Sequence, residues 1–198
     1  MAELEFLENG HVYMLEGKRV PCVSDLCRFL SREIYVDAPR WQQDAAAERG
    51  TAVHEATVQL DAVGRATVED EYAPYLQAYA AFLRDYNPEW RLTEKSFYSE
   101  TDGFAGTIDR YGLLEGYRTL VDIKTTYTVH KPLCEASLNL YRRLLESNGH
   151  PVVRIYILHL QKSGKYKLIP FEISDRLPDS LLTLHKALEK KRRKGVTK

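Results

Sequence analysis

The chain is short of cysteine, of long apolar runs and of net charge, and each shortage excludes something. Three cysteines, Cys22, Cys27 and Cys134, stand among 198 residues. An odd number without C-x-x-C spacing gives no disulfide framework, and points to free, buried thiols in a reducing compartment. No apolar run approaches the ~20 residues needed to span a bilayer. The opening MAELEFLENG is acidic and lacks the basic start and apolar stretch of a signal peptide, so a cytoplasmic location without membrane attachment is expected. The 28 Lys and Arg balance the 28 Asp and Glu, so charge alone does not mark a nucleic-acid binder. Neither an internal repeat nor a low-complexity linker divides the chain, and a single domain over residues 1–198 is expected.

What is present is globular in character. A hydrophobic fraction of 44% with 28% charged residues supports a packed core. The 13 tyrosines offer apolar bodies with polar tips. Trp41, Trp90, Tyr72, Tyr75 and Tyr79 are read first as packing residues, since helical periodicity argues for burial before it argues for base stacking. Basic residues gather at the end, where residues 186–198 read KALEKKRRKGVTK. Such a cluster suits a solvated helix end that complements the helix dipole, or a contact with a phosphate backbone.

Residues 11–20 read as a hairpin turning at Glu16-Gly17, and Ser24 as the N-cap of a short helix over 25–31. This hairpin and helix make up an N-terminal unit, residues 1–35. A long helix is expected over 39–63, with Pro39 in its first turn. Gly50 falls inside it, as a break or as a place where another backbone comes close. A second helix over 70–86 ends at Asn87-Pro88. The pattern then becomes extended: 90–99, 104–114 and 119–126 alternate, with turns at 101–103 and Glu115-Gly116, and form a three-stranded antiparallel meander. A helix over 132–147, strands over 152–161 and 165–173, and a basic helix over 178–198 follow. The expected architecture is α/β, a central mixed sheet flanked by helices, with the catalytic core in residues 39–175.

The segment TLVDIKTT, residues 119–126, is the most informative. On a strand Asp122 and Lys124 share one face, and Val121 and Ile123 the other. Alone this is equally the solvated face of an edge strand with a weak ion pair. The preceding strand, GTIDR, brings Asp109 one hairpin away. Two carboxylates held together repel unless a cation lies between them. Mg²⁺ and Mn²⁺ take oxygen ligands, so Asp109, Asp122 and the main-chain carbonyl of Ile123 make a plausible half-shell. Lys124 would then stand beside a water poised for attack on a phosphodiester. His54, in GTAVHEA, is the third candidate ligand. On a helix its neighbour Glu55 faces about 100° away, so only one of the two can reach the site.

The set GTAVH, GTIDR, VDIKT and LNLY, in this order, resembles the RecB-type nuclease domain of the PD-(D/E)XK superfamily. The resemblance runs from about residue 50 to 156, and implies a restriction-endonuclease-like fold and a divalent-metal-dependent DNA nuclease, an exonuclease by preference. It implies His54, Asp109 and Asp122 as metal ligands, Lys124 as the catalytic lysine, and Tyr141 as a residue at the site or substrate. HVYMLEGKRVPCVSDL resembles the openings of bacteriophage and prophage members, which suggests recombination, repair or DNA processing. DNA is the implied partner, with a recombinase, a single-strand-binding protein or a helicase beside it, and an oligomer is compatible. Two departures matter. Ser137 stands where the family has glutamine, four residues before Tyr141, and is too short to reach as far. Some relatives hold an iron–sulfur cluster on four cysteines, which this chain lacks, so no cluster is expected. Glu94 is read as a cross-strand charge partner, for instance of Arg110, at a position where relatives often have glutamate. Thr125 and Thr126 can bond a phosphate or simply serve a strand. A nuclease-like module that binds DNA or a partner without cutting is the alternative reading.

Overall fold

Local turn chemistry lays out the first elements of the chain, whose computed structural model describes residues 4–7 and 12–195. Strands β1 (Leu4–Leu7), β2 (Val12–Leu15) and β3 (Lys18–Val20) form an antiparallel sheet in that order. The expected hairpin is β2–β3. Glu16 and Gly17 both take positive φ, 49° and 72°, which a two-residue turn matched to strand twist requires. His11, the first residue of that expected hairpin, lies outside the described residues. Strand β1 was not expected, because four residues carry too little pattern to announce a partner.

The short helix starts earlier than the Ser24 cap suggests. In α1 (Val23–Leu26) the N-cap is Cys22, and its backbone N–H donates to the Asp25 carboxylate at 3.3 Å. Asp25, not Ser24, therefore closes the first turn. A second helix, α2 (Arg28–Ile34), follows at once.

Helix α3 (Arg40–Val63) runs unbroken for 24 residues and stops at Gly64, whose φ of 71° is the left-handed cap that glycine adopts without penalty. Gly50 neither breaks it nor admits another part of the described chain: a Cβ there would meet nothing within 4 Å among the described residues. The expected break is thus corrected, and so is close approach by a backbone from the described residues. The hydrogen-bonded ladder on either side outweighs one glycine's helix penalty of ~1 kcal/mol. Helix α4 (Ala73–Tyr86) starts three residues later than expected and buries Tyr75, Ala78, Tyr79 and Phe82 on one face.

The central sheet contains β4 (Glu89–Ser99), β5 (Phe104–Leu114), β6 (Tyr117–Lys124), β7 (Arg154–Leu160) and β8 (Tyr166–Phe171), in that spatial order. The first three form the expected antiparallel meander. Helix α5 (Lys131–Ser147) then crosses over so that β7 runs parallel to β6, and β8 returns antiparallel. Helix α6 (Arg176–Gly195) follows. Strand alternation assigns the faces. Val121, Ile123, Leu158 and Leu160 pack with Val53 of α3 and with Tyr79 and Phe82 of α4. Ile108, Leu120, Ile155 and Ile157 pack with Leu138 and Leu145 of α5. Farther along this second face, Phe104 and α5 pack with α1 and with Leu181 and Leu182 of α6. Each fully buried aliphatic side chain contributes roughly 1.5–3 kcal/mol.

The result is a mixed sheet flanked by helices on both faces, a restriction-endonuclease-like α/β core. Among the described residues no helix is long and apolar enough to cross a membrane. Cys22, Cys27 and Cys134 are free and buried.

Candidate metal centre

The site is built where two strands part. Strands β5 and β6 pair from Leu114–Tyr117 as far as Arg110–Val121. Beyond that point the Asp109 side chain takes the place of the ladder, and its Oδ2 accepts a hydrogen bond from the Ile123 backbone N–H at 2.6 Å. Strand β6 stays paired with β7 on its other edge out to Lys124–His159, so its end remains fixed while β5 diverges. The alternation of β5 inverts at the same place. Phe104 and Ile108 face α5, whereas Arg110 and Leu114, of the same parity, face α3 and α4. Across the ladder, Glu94 lies between the register pairs Thr93–Arg110 and Lys95–Ile108 and has a φ of 44°. A non-glycine residue in this left-handed region costs roughly 1–2 kcal/mol, so the surroundings must hold it there.

His54, Glu94 and Asp109 offer ligand atoms that all lie within 4.8 Å of one another. His54 Nδ1 is 3.1 Å from Glu94 Oε1. Its Nε2 is 3.2 Å from the Ile123 carbonyl oxygen and 3.8 Å from Asp109 Oδ2. Both ring nitrogens thus face acceptors, which an imidazolium satisfies by donating twice. Burial alone would lower the His54 pKa, but the Asp109 carboxylate and the Glu94 hydrogen bond outweigh it and push the value up to about 9. A proton is therefore held where a cation would be.

Asp122 and Lys124 share a face of β6, as the alternation requires. Lys124 Nζ lies 2.5 Å from Asp122 Oδ2. That oxygen is buried, and beyond Lys124 it has no hydrogen-bond partner among the described residues. Burial, together with the charge of Asp109 nearby, raises the Asp122 pKa in spite of Lys124. For Lys124 burial works downward, but Asp122 and Asp109 prevail and hold it above its usual value. Tyr141 packs between the two core clusters on the α5 side. Burial, then Asp122 and Asp109, raise its pKa well above 10, so it is a neutral phenol beside the two acids.

The sequence reading groups Asp122 with His54 and Asp109 as ligands. The three-residue cluster brings Glu94 to His54 and Asp109, and Asp122 pairs with Lys124. Ser137 uses its hydroxyl within its own helix, donating to the Cys134 carbonyl at 3.2 Å. Thr125 is buried just past the end of β6. Thr126 donates to the Thr128 carbonyl, and its own carbonyl lies 2.7 Å from His159 Nε2, which ties down the loop after Lys124.

Sequence reasoning anticipated Arg110 as a partner of Glu94 but missed the Asp61, Tyr79 and Thr57 network that holds the arginine. Arg110 is wholly buried, and its guanidinium donates to Asp61 Oδ2 at 2.7 Å, Thr57 Oγ1 at 2.8 Å, the Asp109 carbonyl at 2.8 Å and Glu94 Oε1 at 3.2 Å. Tyr79 donates to the same Asp61 carboxylate. Thr57 in turn donates to the His54 carbonyl at 2.8 Å, one helical turn back. One cation thus ties Glu94 to the α3 turn that carries His54. The available signal was an arginine directly after Asp109 on a strand expected to be covered on both faces.

The donors suit a hard divalent cation. One imidazole nitrogen and two carboxylates, with the Ile123 carbonyl beside them, form an oxygen-rich set of the kind Mg²⁺ and Mn²⁺ accept. No protein-family model matches the chain, and no curated protein does. Among solved structures, the chain is similar to LHK-Exo in complex with dAMP, at 15% identity, a TM-score of 0.45, and coverage of 90% of this chain and 94% of that one. It is similar also to an alkaline exonuclease (LHK-Exo) from Laribacter hongkongensis, at 14% identity, a TM-score of 0.43, and coverage of 88% and 91%.

Proposed function

We propose that this chain is a divalent-metal-dependent nuclease that hydrolyses DNA phosphodiester bonds. The observation that carries the reading is the convergence of His54, Glu94 and Asp109 within 4.8 Å, beside the Asp122–Lys124 ion pair. In this reading His54, Glu94 and Asp109, with the Ile123 carbonyl, hold Mg²⁺ or Mn²⁺, and Asp122 is kept as the further carboxylate ligand that the motif implies. When bound, the ion supplies positive charge at the phosphoryl oxygen and acidifies water.

The chain's own groups do the rest. Lys124, paired with Asp122, stands as an ammonium ion whose donors can orient the attacking water or meet charge developing on the phosphate. Arg110 keeps Glu94 aimed at the centre from behind. Tyr141 offers a neutral hydroxyl on the α5 side. Thr125 and Ser137 remain assigned as supporting residues near the substrate. A role in recombination, repair or DNA processing, in a phage or bacterial setting, is supported by the motif order and the N-terminal sequence.

The test is cleavage of end-labelled linear DNA, single- and double-stranded, beside closed circular DNA, with Mg²⁺, Mn²⁺ or EDTA. Metal-dependent loss of linear DNA that Asp109→Ala, Asp122→Ala and Lys124→Ala each abolish would support the nuclease, and survival of circles would make it an exonuclease. Binding without cleavage in either metal would favour a non-cutting DNA-binding module. No salt-sensitive binding at all would overturn both readings.

A further inference from the structure

Gly50 stands apart from the other internal glycines described. Gly17, Gly64, Gly103, Gly116, Gly149 and Gly164 each take positive φ, between 71° and 81°, which explains them by conformation. Gly106 and Gly112 are explained by crowding, since a Cβ would lie 3.0 Å from Leu144 and 2.1 Å from the Glu89 carbonyl respectively. Gly50 has neither reason. It sits in regular helix, where glycine is less stable than alanine, and a Cβ there would meet nothing within 4 Å. Nothing among the described residues requires it.

Its position suggests what does. Gly50 precedes His54 by four residues on α3, about 6 Å along the axis and on the same face. N-terminal to His54, and within about 60° of it around the helix, lie Arg40, Gln43, Ala47, Gly50 and Thr51, at ~100° per residue. N-terminal to His54 that face carries a cation, an amide, a hydroxyl and two positions without bulk; Asp44, about 80° round, lies 4.0 Å from Arg40, and Asp61, on the same face beyond His54, is held by Arg110 and Tyr79. Arg40, Gln43, Ala47 and Thr51 are exposed. The face is continuous with the His54–Glu94–Asp109 cluster and suits a polyanion that must come close to the helix.

We propose that the Gly50 face of α3 is the track along which the sugar–phosphate backbone of the DNA strand reaches the metal centre, and that Gly50 is glycine because that strand passes against it. The inference rests on the nuclease reading and adds the path of the substrate.

The test sets fold stability against DNA affinity in Gly50→Ala and Gly50→Leu. Thermal melts, Mg²⁺ binding by calorimetry, and binding of a fluorescein-labelled oligonucleotide in Ca²⁺ are measured on the wild-type chain and both variants. Gly50→Ala is expected to raise Tm by about 2–4 °C, as a helix-interior glycine replacement does without a clash. Mg²⁺ affinity should stay unchanged. The Kd for the oligonucleotide should rise about tenfold in Gly50→Ala, and further in Gly50→Leu, because a clash is built against the ligand alone. Stability and affinity would then move in opposite directions. Unaltered DNA binding in Gly50→Leu, with wild-type binding intact, would overturn the track and leave the nuclease reading standing. An absence of oligonucleotide binding by the wild-type chain would overturn both. A change of oligomeric state in Gly50→Leu, with DNA binding unchanged, would reassign the face to a second copy of the chain.

Discussion

Lys124 and Asp122 stand two residues apart on one face of β6, ammonium against carboxylate at 2.5 Å, and they are unequally buried: the Asp122 side chain is 2% exposed, the Lys124 side chain 33%. The inequality predicts an asymmetry in mutation. Lys124→Ala leaves a buried carboxylate uncompensated, beside the charge of Asp109. Asp122→Asn removes that charge and leaves a lysine that can turn to water. In EDTA, Lys124→Ala should lose about 3 kcal/mol in urea unfolding and Asp122→Asn clearly less. Equal losses would mean that the pair is not what holds Asp122 in place.

His54 supplies the pH dependence. Its pKa is pushed up to about 9 by Asp109 and Glu94 against the effect of burial. A metal bound through the ring must displace that proton, so at neutral pH binding should release close to one proton per ion. Affinity for Mn²⁺ should rise with pH and level off near 9, rising up to about tenfold per unit below that point. The metal-free protein runs the other way. The stabilisation from the raised pKa is complete below about 6.5, the ordinary histidine value, and is lost as pH climbs through about 9. Calorimetry in buffers of different ionisation enthalpy, and melts in EDTA from pH 6 to 9.5, measure the two trends. A pH-independent metal affinity would remove His54 from the ligand set.

Much of the core was legible because strand periodicity fixes faces without reference to partners. The meander, the common face of Asp122 and Lys124, and the opposite placing of Val121 and Ile123 follow from alternation alone. Where alternation fails, the sequence is silent. Strand β5 inverts at Asp109, and Glu94 takes a left-handed φ that no local residue preference announces. Glu94 was readable as a partner of Arg110, which it is, but not as a neighbour of His54. The Arg110–Asp61 contact spans 49 residues and belongs to tertiary structure. Gly50 misled in the opposite sense, since a local breaker signal yielded to a 24-residue helix.

Arg110 allows the support of Glu94 to be separated from the stability of the fold. It is wholly buried, with Asp61 as its closest carboxylate. Arg110→Ala strands that carboxylate and should cost about 3–5 kcal/mol. The double variant Arg110→Met with Asp61→Leu removes both charges and should recover most of that loss. It cannot recover the hydrogen bond to Glu94 Oε1, so metal affinity should stay at least about tenfold weak, the size expected on losing an outer-shell contact. Wild-type affinity in the stable double variant would show that Glu94 needs no support from Arg110.

Gly112 makes the strongest stability prediction, because its obstacle is backbone. A Cβ there would lie 2.1 Å from the Glu89 carbonyl oxygen and 2.8 Å from the Trp90 Cα, beside the register shift between Trp90 and Leu92. Neither atom can turn aside as a side chain does, so Gly112→Ala must push β4 away from β5 at the end remote from the site. Overpacking of this kind costs about 1–3 kcal/mol or more. Gly106→Ala meets only side-chain atoms, of Leu144, Val23 and Tyr141, at 3.0–3.1 Å, and those can yield by small rotations. Thermal melts should therefore rank Gly112→Ala well below Gly106→Ala. The milder variant carries its own signature: Tyr141 is among the atoms that must give way beside Asp122 and Asp109, so Gly106→Ala should lower activity more than it lowers Tm. A reversed stability order would mean that β4 and β5 are less closely joined at Glu89 and Trp90 than the register implies.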